Sequence, residues 1–238
     1  MQAAIALLLL LLTSRSAHAQ TVPTEFVPTE FVDAATVVEG LVVDMRYFGA
    51  DNFVGKRIDG YEAPRCLLTR PAAAALAAVQ RDLMRDLTRP GLGLKVYDCY
   101  RPTRAVAHFV RWARDLADVA RKADYYPAVD KRDLFRLGYI AERSGHSRGS
   151  TVDITLVRRA GDEGDPERGT PDMGTRFDFF SPKSWPSDIS VSKAAQRNRA
   201  LLAAAMARAG FQAYNKEWWH FTLRNEPFRA RYFDFPVR

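Results

Sequence analysis

The chain has 238 residues, of which 47% are hydrophobic and 26% are charged, and this balance excludes an intrinsically disordered or collagen-like protein. Its length is compatible with one large domain or with two small ones. The formal net charge is +7, but basic residues are interleaved with acids and no five-residue stretch is mostly Lys or Arg, so we expect no nucleic-acid partner.

The N-terminus has the pattern of a signal peptide. Residues 3–12 form an apolar run that is short for a helix crossing a bilayer, and Ala17-His18-Ala19 supplies the small residues that precede a cleavage site. We predict a signal peptide over residues 1–19 and an exported, periplasmic mature chain without a membrane span. An uncleaved membrane anchor is the alternative, because no Lys or Arg precedes the apolar run.

The rest of the chain is predicted to contain one domain. Residues 20–32 are interpreted as an extended leader, because residues 22–31 repeat Val-Pro-Thr-Glu-Phe twice. From residue 33 to residue 238 there is no low-complexity linker, which indicates a single domain. The two cysteines, Cys66 and Cys99, are compatible with a disulfide in an exported protein and equally with two buried thiols.

Helices and strands alternate along this domain. Apolar spacing predicts a helix over 71–88 and a second helix from Pro102, with a strand over 94–97 between them. A β-branched strand is predicted over 151–157, followed by a third helix that begins after Ser192 and stops at Gly210. Two strands, over 211–214 and 218–223, complete the pattern. It is typical of an α+β fold with helices packed on a mainly antiparallel sheet.

Two histidines lie close to carboxylates in the sequence. His146 is in a Gly/Ser-rich segment, and Asp153 is the third residue of the strand that follows, between Val152 and Ile154. Further along, Glu217 and His220 are three residues apart around two tryptophans. Two histidines and an aspartate suit a catalytic zinc ion, and a nearby glutamate suits a general base. The alternative from residue types alone is that both acids are structural ion-pair partners of arginines.

Ordered motifs extend this pattern over most of the chain. Ser-x-His followed by six residues and Asp, with Glu-x-Trp-His far downstream, resembles the zinc signature of the D-alanyl-D-alanine metallopeptidases, and the sequence looks most similar to the vancomycin-resistance type of D-Ala-D-Ala dipeptidase. Further matches are Asp-Met-Arg-Tyr (44–47), Asp-Asn-Phe (51–53), Asp-Cys-Tyr-Arg-Pro (98–102), Asp-Met-Gly (172–174), Arg-Phe-Asp-Phe (176–179) and Tyr-Phe-Asp-Phe-Pro (232–236).

The resemblance implies a fold and a catalytic set. The fold would be the one that D,D-peptidases share with hedgehog domains. One Zn²⁺ per chain would be bound by His146, Asp153 and His220, with Glu217 as the general base and Arg101 stabilising the oxyanion.

The resemblance also implies substrate contacts. Asp172 is expected to pair with the substrate ammonium group, Tyr47 to help bind the same end, and Ser144 to line the substrate pocket.

The expected reaction is hydrolysis of the dipeptide D-Ala-D-Ala to two D-alanines. A zinc carboxypeptidase that trims peptidoglycan stem peptides is the enzymatic alternative, and a zinc-binding module without catalysis is a further one. The sequence does not determine the oligomeric state.

Overall fold

The computed structural model describes residues 21–22, 26–158 and 169–238. The predicted signal peptide and cleavage site lie outside these residues. None of the helices among the described residues combines the length and the apolar character that a membrane crossing requires.

A five-stranded sheet forms the centre of the domain. Its strand order is β3 (Val42–Val43), β5 (Leu92–Asp98), β6 (Thr151–Arg158), β8 (His220–Leu223) and β7 (Phe211–Ala213). Among these strands β3 pairs with β5 in parallel, and the other three pairings are antiparallel. The predicted α+β class is confirmed, and the sheet is mixed because of the parallel edge.

Two long helices pack on this sheet. Helix α1 (Arg70–Arg85) contacts β5, and helix α5 (Lys193–Arg208) contacts α1 and β6. The Ser192 hydroxyl accepts a hydrogen bond from the Ala195 amide at 3.0 Å, which confirms the predicted N-cap. Helix α1 ends at Arg85, earlier than predicted, and Leu87, which lies within the predicted range, is 91% exposed. Thr88 and Arg89 instead bind the Asp86 carboxylate, which stabilises a turn at this point.

Shorter elements surround the sheet. The second predicted helix is α2 (Thr103–Arg114), and the two single-turn helices are α3 (Lys122–Tyr125) and α4 (Leu134–Leu137). Strand β1 (Thr21–Val22) pairs with β9 (Tyr232–Phe233), and β2 (Phe31–Asp33) pairs with β4 (Leu67–Thr69).

Phe31 lies in the segment interpreted as an extended leader. It belongs to β2, is 4% exposed and packs edge-on against Phe233 and Phe235. Burial of its aromatic ring joins the last part of this segment to the core.

A β-bulge in β5 decides which way one carboxylate points. Val96 pairs with Ile154 and Asp98 with Asp153, so Tyr97 is an extra residue on β5. Simple alternation would place Asp98 on the same face as Val96. The bulge instead places it beside Asp153, on the opposite face.

The two cysteines form a disulfide, which resolves the alternative left open by the sequence. Cys66 immediately precedes β4 and Cys99 immediately follows β5, with their Cα atoms 5.2 Å apart. The bond therefore links the outer two-stranded sheet to the end of the central one.

Candidate active site and metal centre

One row of the central sheet carries three polar residues. Asp98 of β5 lies opposite Asp153 of β6, and Asp153 lies opposite His220 of β8. Directly opposed residues in neighbouring strands present their side chains to the same face. The two aspartates and the histidine, which are distant in sequence, therefore meet on one face of the sheet.

His146 reaches the same place from a short 3₁₀ turn, Gly145–Arg148. The Ser144 side chain caps this turn by accepting a hydrogen bond from the His146 amide at 3.3 Å. The ring is fully buried, and its Nδ1 atom is 2.7 Å from the carbonyl oxygen of Cys99. Since a carbonyl can only accept, Nδ1 carries the proton and donates it, which leaves the lone pair on Nε2.

Three donor atoms converge at this point. Asp153 Oδ1 is 3.3 Å from His146 Nε2 and 3.0 Å from His220 Nδ1, and the two ring nitrogens are 3.3 Å apart. Ligands at about 2.05 Å from a tetrahedral zinc ion are separated by about 3.3 Å, so the spacing fits this ion. Asp153 Oδ1 is buried and accepts no well-oriented hydrogen bond from any described residue. A shared cation would satisfy this oxygen, and the set fits a metal site.

The charges of the cluster are coupled. Burial alone would raise the pKa of Asp153, but His146 and His220 outweigh that effect and hold the pKa below its usual range. Conversely, burial would lower the pKa of His220, and Asp153 raises it. Asp153 therefore remains an anion, which is the form that binds a metal ion.

Glu217 lies at the edge of the cluster. It lies three residues before β8, which begins at His220 because Trp218 and Trp219 of the strand predicted over 218–223 form a turn. Its Oε2 atom is 3.5 Å from His220 Nδ1. Its side chain is 20% exposed, so it can reach a water molecule in the cavity. Burial raises the pKa of Glu217 to about 7, which suits a group that accepts and returns protons near neutral pH.

Arg101 lies between the cluster and the cavity. Asp98 Oδ2 accepts a hydrogen bond from Nε of Arg101 at 2.8 Å and forms an ion pair with Nη2, also at 2.8 Å, and Nη2 is 3.5 Å from Asp153 Oδ2. The guanidinium group also lies over the rings of Tyr47 and Phe109, at 5.0 and 5.1 Å from the ring centroids. Burial would lower the pKa of Arg101, but Asp98 offsets this and the pKa is raised, so the cation is permanent.

A cavity of about 280 Å³ opens onto these groups, and its walls include Arg101, Asp153, Glu217 and His220. It is small by the standard of ligand pockets, which usually exceed about 300 Å³. Ser144, Tyr139 and Tyr214 form part of the wall. The site can therefore enclose only a small substrate next to the three donor atoms.

Asp178 also lines this cavity and is 6% exposed. Its Oδ2 atom accepts a hydrogen bond of 2.7 Å from the hydroxyl of Tyr47, a residue that is itself 1% exposed. Burial, together with the nearby charge of Asp153, raises the pKa of Asp178 well above its ordinary value. A buried carboxylate of this kind gains from a cationic partner, and the cavity is open to one.

The backbone at Asp178 is also unusual. Its φ angle is +58°, in the left-handed region that side chains other than glycine rarely adopt. Such a conformation persists where the surrounding structure holds it. Here Tyr47 binds the carboxylate, and the amide of Phe180 donates to the carbonyl of Tyr125 at 2.8 Å.

Asp172 is not brought into this cavity. Its carboxylate accepts hydrogen bonds from the Gly174 amide and the Ser192 hydroxyl, each at 2.7 Å, and it lies in an exposed turn before α5. These bonds connect the turn to the N-terminus of α5. The other predicted site residues do meet: His146, Asp153 and His220 form the cluster, and Tyr47, Arg101, Ser144 and Glu217 line the cavity beside it.

Comparison with known proteins identifies the family. The family model described as D-ala-D-ala dipeptidase matches residues 28–238. The chain belongs to this family. The D-alanyl-D-alanine dipeptidase of Enterococcus faecium is 40% identical over 202 residues, covering 85% of this chain and 95% of the relative. Its counterpart in Streptomyces coelicolor is 42% identical over 201 residues, covering 84% and 95%. The Escherichia coli protein of the same name is 37% identical over 191 residues, covering 80% and 83%.

The predicted resemblance is confirmed, and the chain is a peptidase of this zinc-dependent D-ala-D-ala dipeptidase family. Two residues of its site were missed at the level of sequence. Asp178, between Phe177 and Phe179, carries the same signal that singled out Asp153, a carboxylate in an apolar setting that needs a partner if it is buried. Asp98 follows the apolar strand predicted over 94–97, but no sequence signal reveals the bulge that turns it towards the site.

Proposed function

We propose that this chain is a zinc-dependent D,D-dipeptidase that hydrolyses D-Ala-D-Ala to two molecules of D-alanine. The observation that carries this proposal is the position of Asp178, whose buried carboxyl group faces the same small cavity as Asp153 and His220, two of the three residues of the metal cluster. The cavity thus offers a metal site for the peptide bond and a buried carboxyl group that becomes a carboxylate when it pairs with the ammonium group of a substrate.

Recognition of the amino end is assigned to Asp178 and Tyr47. The substrate ammonium group neutralises the Asp178 carboxylate, and the Tyr47 hydroxyl, at 2.7 Å, holds that carboxylate in position. A stem peptide would extend beyond the amino end into buried protein at Asp178. A carboxypeptidase reaction is therefore disfavoured, and the length of a dipeptide suits the cavity of about 280 Å³.

His146, Asp153 and His220 would hold the metal. A zinc ion bound there would act as a Lewis acid towards the scissile carbonyl group and would increase the acidity of a water molecule. The cluster itself is prepared for this role, because Cys99 fixes the tautomer of His146 and Asp153 is held as an anion.

Glu217 carries the proton during the reaction. Its carboxylate accepts a proton from the attacking water and delivers that proton to the nitrogen of the departing D-alanine. A pKa near 7 allows both transfers, since the group is readily ionised before attack and readily protonated afterwards.

Arg101 stabilises the negative charge that develops on the carbonyl oxygen of the substrate. Asp98 Oδ2 lies 2.8 Å from Nε and 2.8 Å from Nη2 of the guanidinium group, so the cation is oriented before the substrate arrives. A fixed cation costs little reorganisation when charge develops, which is the basis of this kind of catalysis.

Export of the chain is part of the proposal. The Ala17-His18-Ala19 pattern supports cleavage after Ala19, and a disulfide is stable in an oxidising compartment. An exported enzyme acts on dipeptide outside the cytoplasm, which suits salvage or wall turnover. N-terminal sequencing of protein from the periplasmic fraction is expected to begin at Gln20, and a mature chain that begins at Met1 contradicts export by cleavage.

Hydrolysis of a panel of alanine dipeptide stereoisomers tests the activity. We expect cleavage of D-Ala-D-Ala, loss of activity with a chelator and recovery with added zinc. N-acetyl-D-Ala-D-Ala lacks the cationic amine and is expected to be a poor substrate. Efficient cleavage of the acetylated peptide would indicate the carboxypeptidase instead, and full activity after Glu217→Ala would exclude the proposed proton transfer.

A further inference from the structure

The segment that follows β5 leaves the sheet directly beside the metal cluster. The pairing of β5 with β6 extends as far as Asp98. The next residues, Cys99 to Arg101, have no strand partner among the described residues. The Cys99 carbonyl consequently takes no part in the β5–β6 strand pairing. It accepts the 2.7 Å hydrogen bond from the His146 ring that leaves Nε2 available to a metal ion.

Strand β4 supports both sides of this hydrogen bond. On one side, the Leu67 carbonyl accepts a hydrogen bond from the Tyr100 amide at 2.9 Å. On the other side, the Thr69 amide donates to the Gly149 carbonyl at 2.7 Å, at the end of the turn that carries His146. The segment that holds Cys99 and the turn that holds His146 are therefore attached to the same three-residue strand.

The disulfide is the covalent part of this support. Cys66, immediately before β4, is bonded to Cys99 itself, and both residues are fully buried. The neighbours of Cys99 also belong to the site, since Asp98 binds Arg101 and is 3.4 Å from His146 Nδ1. The disulfide thus fixes the position of Cys99, which supplies the acceptor carbonyl and begins the segment that carries Arg101.

We propose that the Cys66–Cys99 disulfide is a positioning element of the metal site, which keeps the Cys99 carbonyl aligned with His146 and Arg101 aligned with the cavity. This inference rests on the proposed function, because it requires zinc at His146, Asp153 and His220. Without the bond, the 98–101 segment is held by hydrogen bonds alone: to β4, to the His146 carbonyl from the Arg101 amide at 3.4 Å, to the Tyr61 hydroxyl through Asp98 at 2.6 Å, and to the Phe235 carbonyl from the Tyr100 hydroxyl at 2.9 Å.

The expected effect is specific to the metal and to the chemical step. Loss of a hydrogen-bond partner of a metal ligand commonly lowers metal affinity or activity by about 10- to 100-fold, and we expect zinc affinity to fall within this range. Displacement of Arg101 lowers kcat. KM changes by less than about threefold, because Asp178 lies on a separate segment held by Tyr47.

The test compares C66A/C99A with wild type and with a matched control, L76A. Leu76 is fully buried on α1 and neither belongs to the cluster nor lines the cavity, and each variant is expected to lower Tm on the order of 10 °C. Zinc affinity is measured by competition with a chromophoric chelator at a temperature where circular dichroism shows all three proteins folded. Weaker zinc binding and lower kcat in C66A/C99A, with both unchanged in L76A, is the expected result.

Each other outcome has a distinct meaning. If wild type binds no zinc, the proposed function itself fails. If wild type binds zinc and C66A/C99A binds it equally tightly with an unchanged kcat, the disulfide has only a structural role and the inference is overturned. The inference fails too if L76A loses as much zinc affinity as C66A/C99A. Should the double variant not fold, C66A alone removes the bond, keeps the Cys99 side chain and provides the same comparison.

Discussion

Replacement of Asp178 by Asn is the most direct test of substrate recognition. The change removes one negative charge from the cavity and leaves the shape of the side chain almost unaltered. Asn retains an amide oxygen that can accept the hydrogen bond from the Tyr47 hydroxyl, which is 2.7 Å long in the wild type. The fold around the site is therefore expected to remain, so that a change in kinetics reports the lost charge.

The size of the effect follows from the burial of this group. A hydrogen bond to a charged partner contributes about 1.5–3 kcal/mol, and loss of one member of a buried charge pair costs about 2–5 kcal/mol. Asp178 is 6% exposed, so solvent screens the interaction only weakly. We expect a loss of about 2–3 kcal/mol, or about 30- to 150-fold in kcat/KM. Most of it should appear in KM, because the ammonium contact is the same in the bound substrate and the transition state.

The assay compares D-Ala-D-Ala with N-acetyl-D-Ala-D-Ala for wild type, D178N and D172N. Wild type should strongly prefer the free amine, and D178N should lose most of this preference. Asp172 is exposed and bonded to Gly174 and Ser192, so D172N should change kcat/KM by less than about twofold. If D178N keeps its preference for the free amine while D172N loses it, Asp172 is the ammonium anchor and the reasoning from the cavity is refuted.

Three further results are expected. E217Q should lower kcat by about 10²- to 10⁴-fold while retaining one zinc per chain by atomic absorption, and a loss below tenfold would exclude Glu217 as the base. R101K keeps the cation but not the two-nitrogen contact with Asp98, and kcat should fall about 100-fold with little change in KM; equal kcat would contradict oxyanion stabilisation. In the metal-free protein, burial raises the pKa of Glu217 from 4.5 to about 7, so the folded chain keeps a proton that the unfolded chain releases. Stability should fall by up to about 3 kcal/mol as pH rises through this interval, and urea titrations at pH 5 and pH 7.5 should show a smaller fall for E217Q.

Local patterns predicted the long helices and most strands of the central sheet, but not the short strands β1 to β4 and β9 or the single-turn helices α3 and α4. Apolar spacing located α1 and α2, Ser192 located the start of α5, and β-branched residues located β6. The errors concern element ends and depend on local polar bonds or on distant packing. Thr88 and Arg89 bind Asp86 beyond the end of α1, and Phe31 joins the core through aromatic contacts with residues about 200 positions away.

The sequence by itself indicated the candidate chemistry: the residue types around His146, Asp153, Glu217 and His220 were compatible with a zinc site or with structural ion pairs, and the resemblance of the ordered motifs favoured the zinc site. Only the tertiary structure decided which groups surround it. Asp172 and Asp178 are six residues apart, but the first connects a turn to α5 and the second reaches the cavity. The sheet register joins Asp98, Asp153 and His220 in one row. These outcomes depend on strand pairing, on a bulge and on backbone angles that long-range packing fixes, and the residue pattern around each side chain does not contain them.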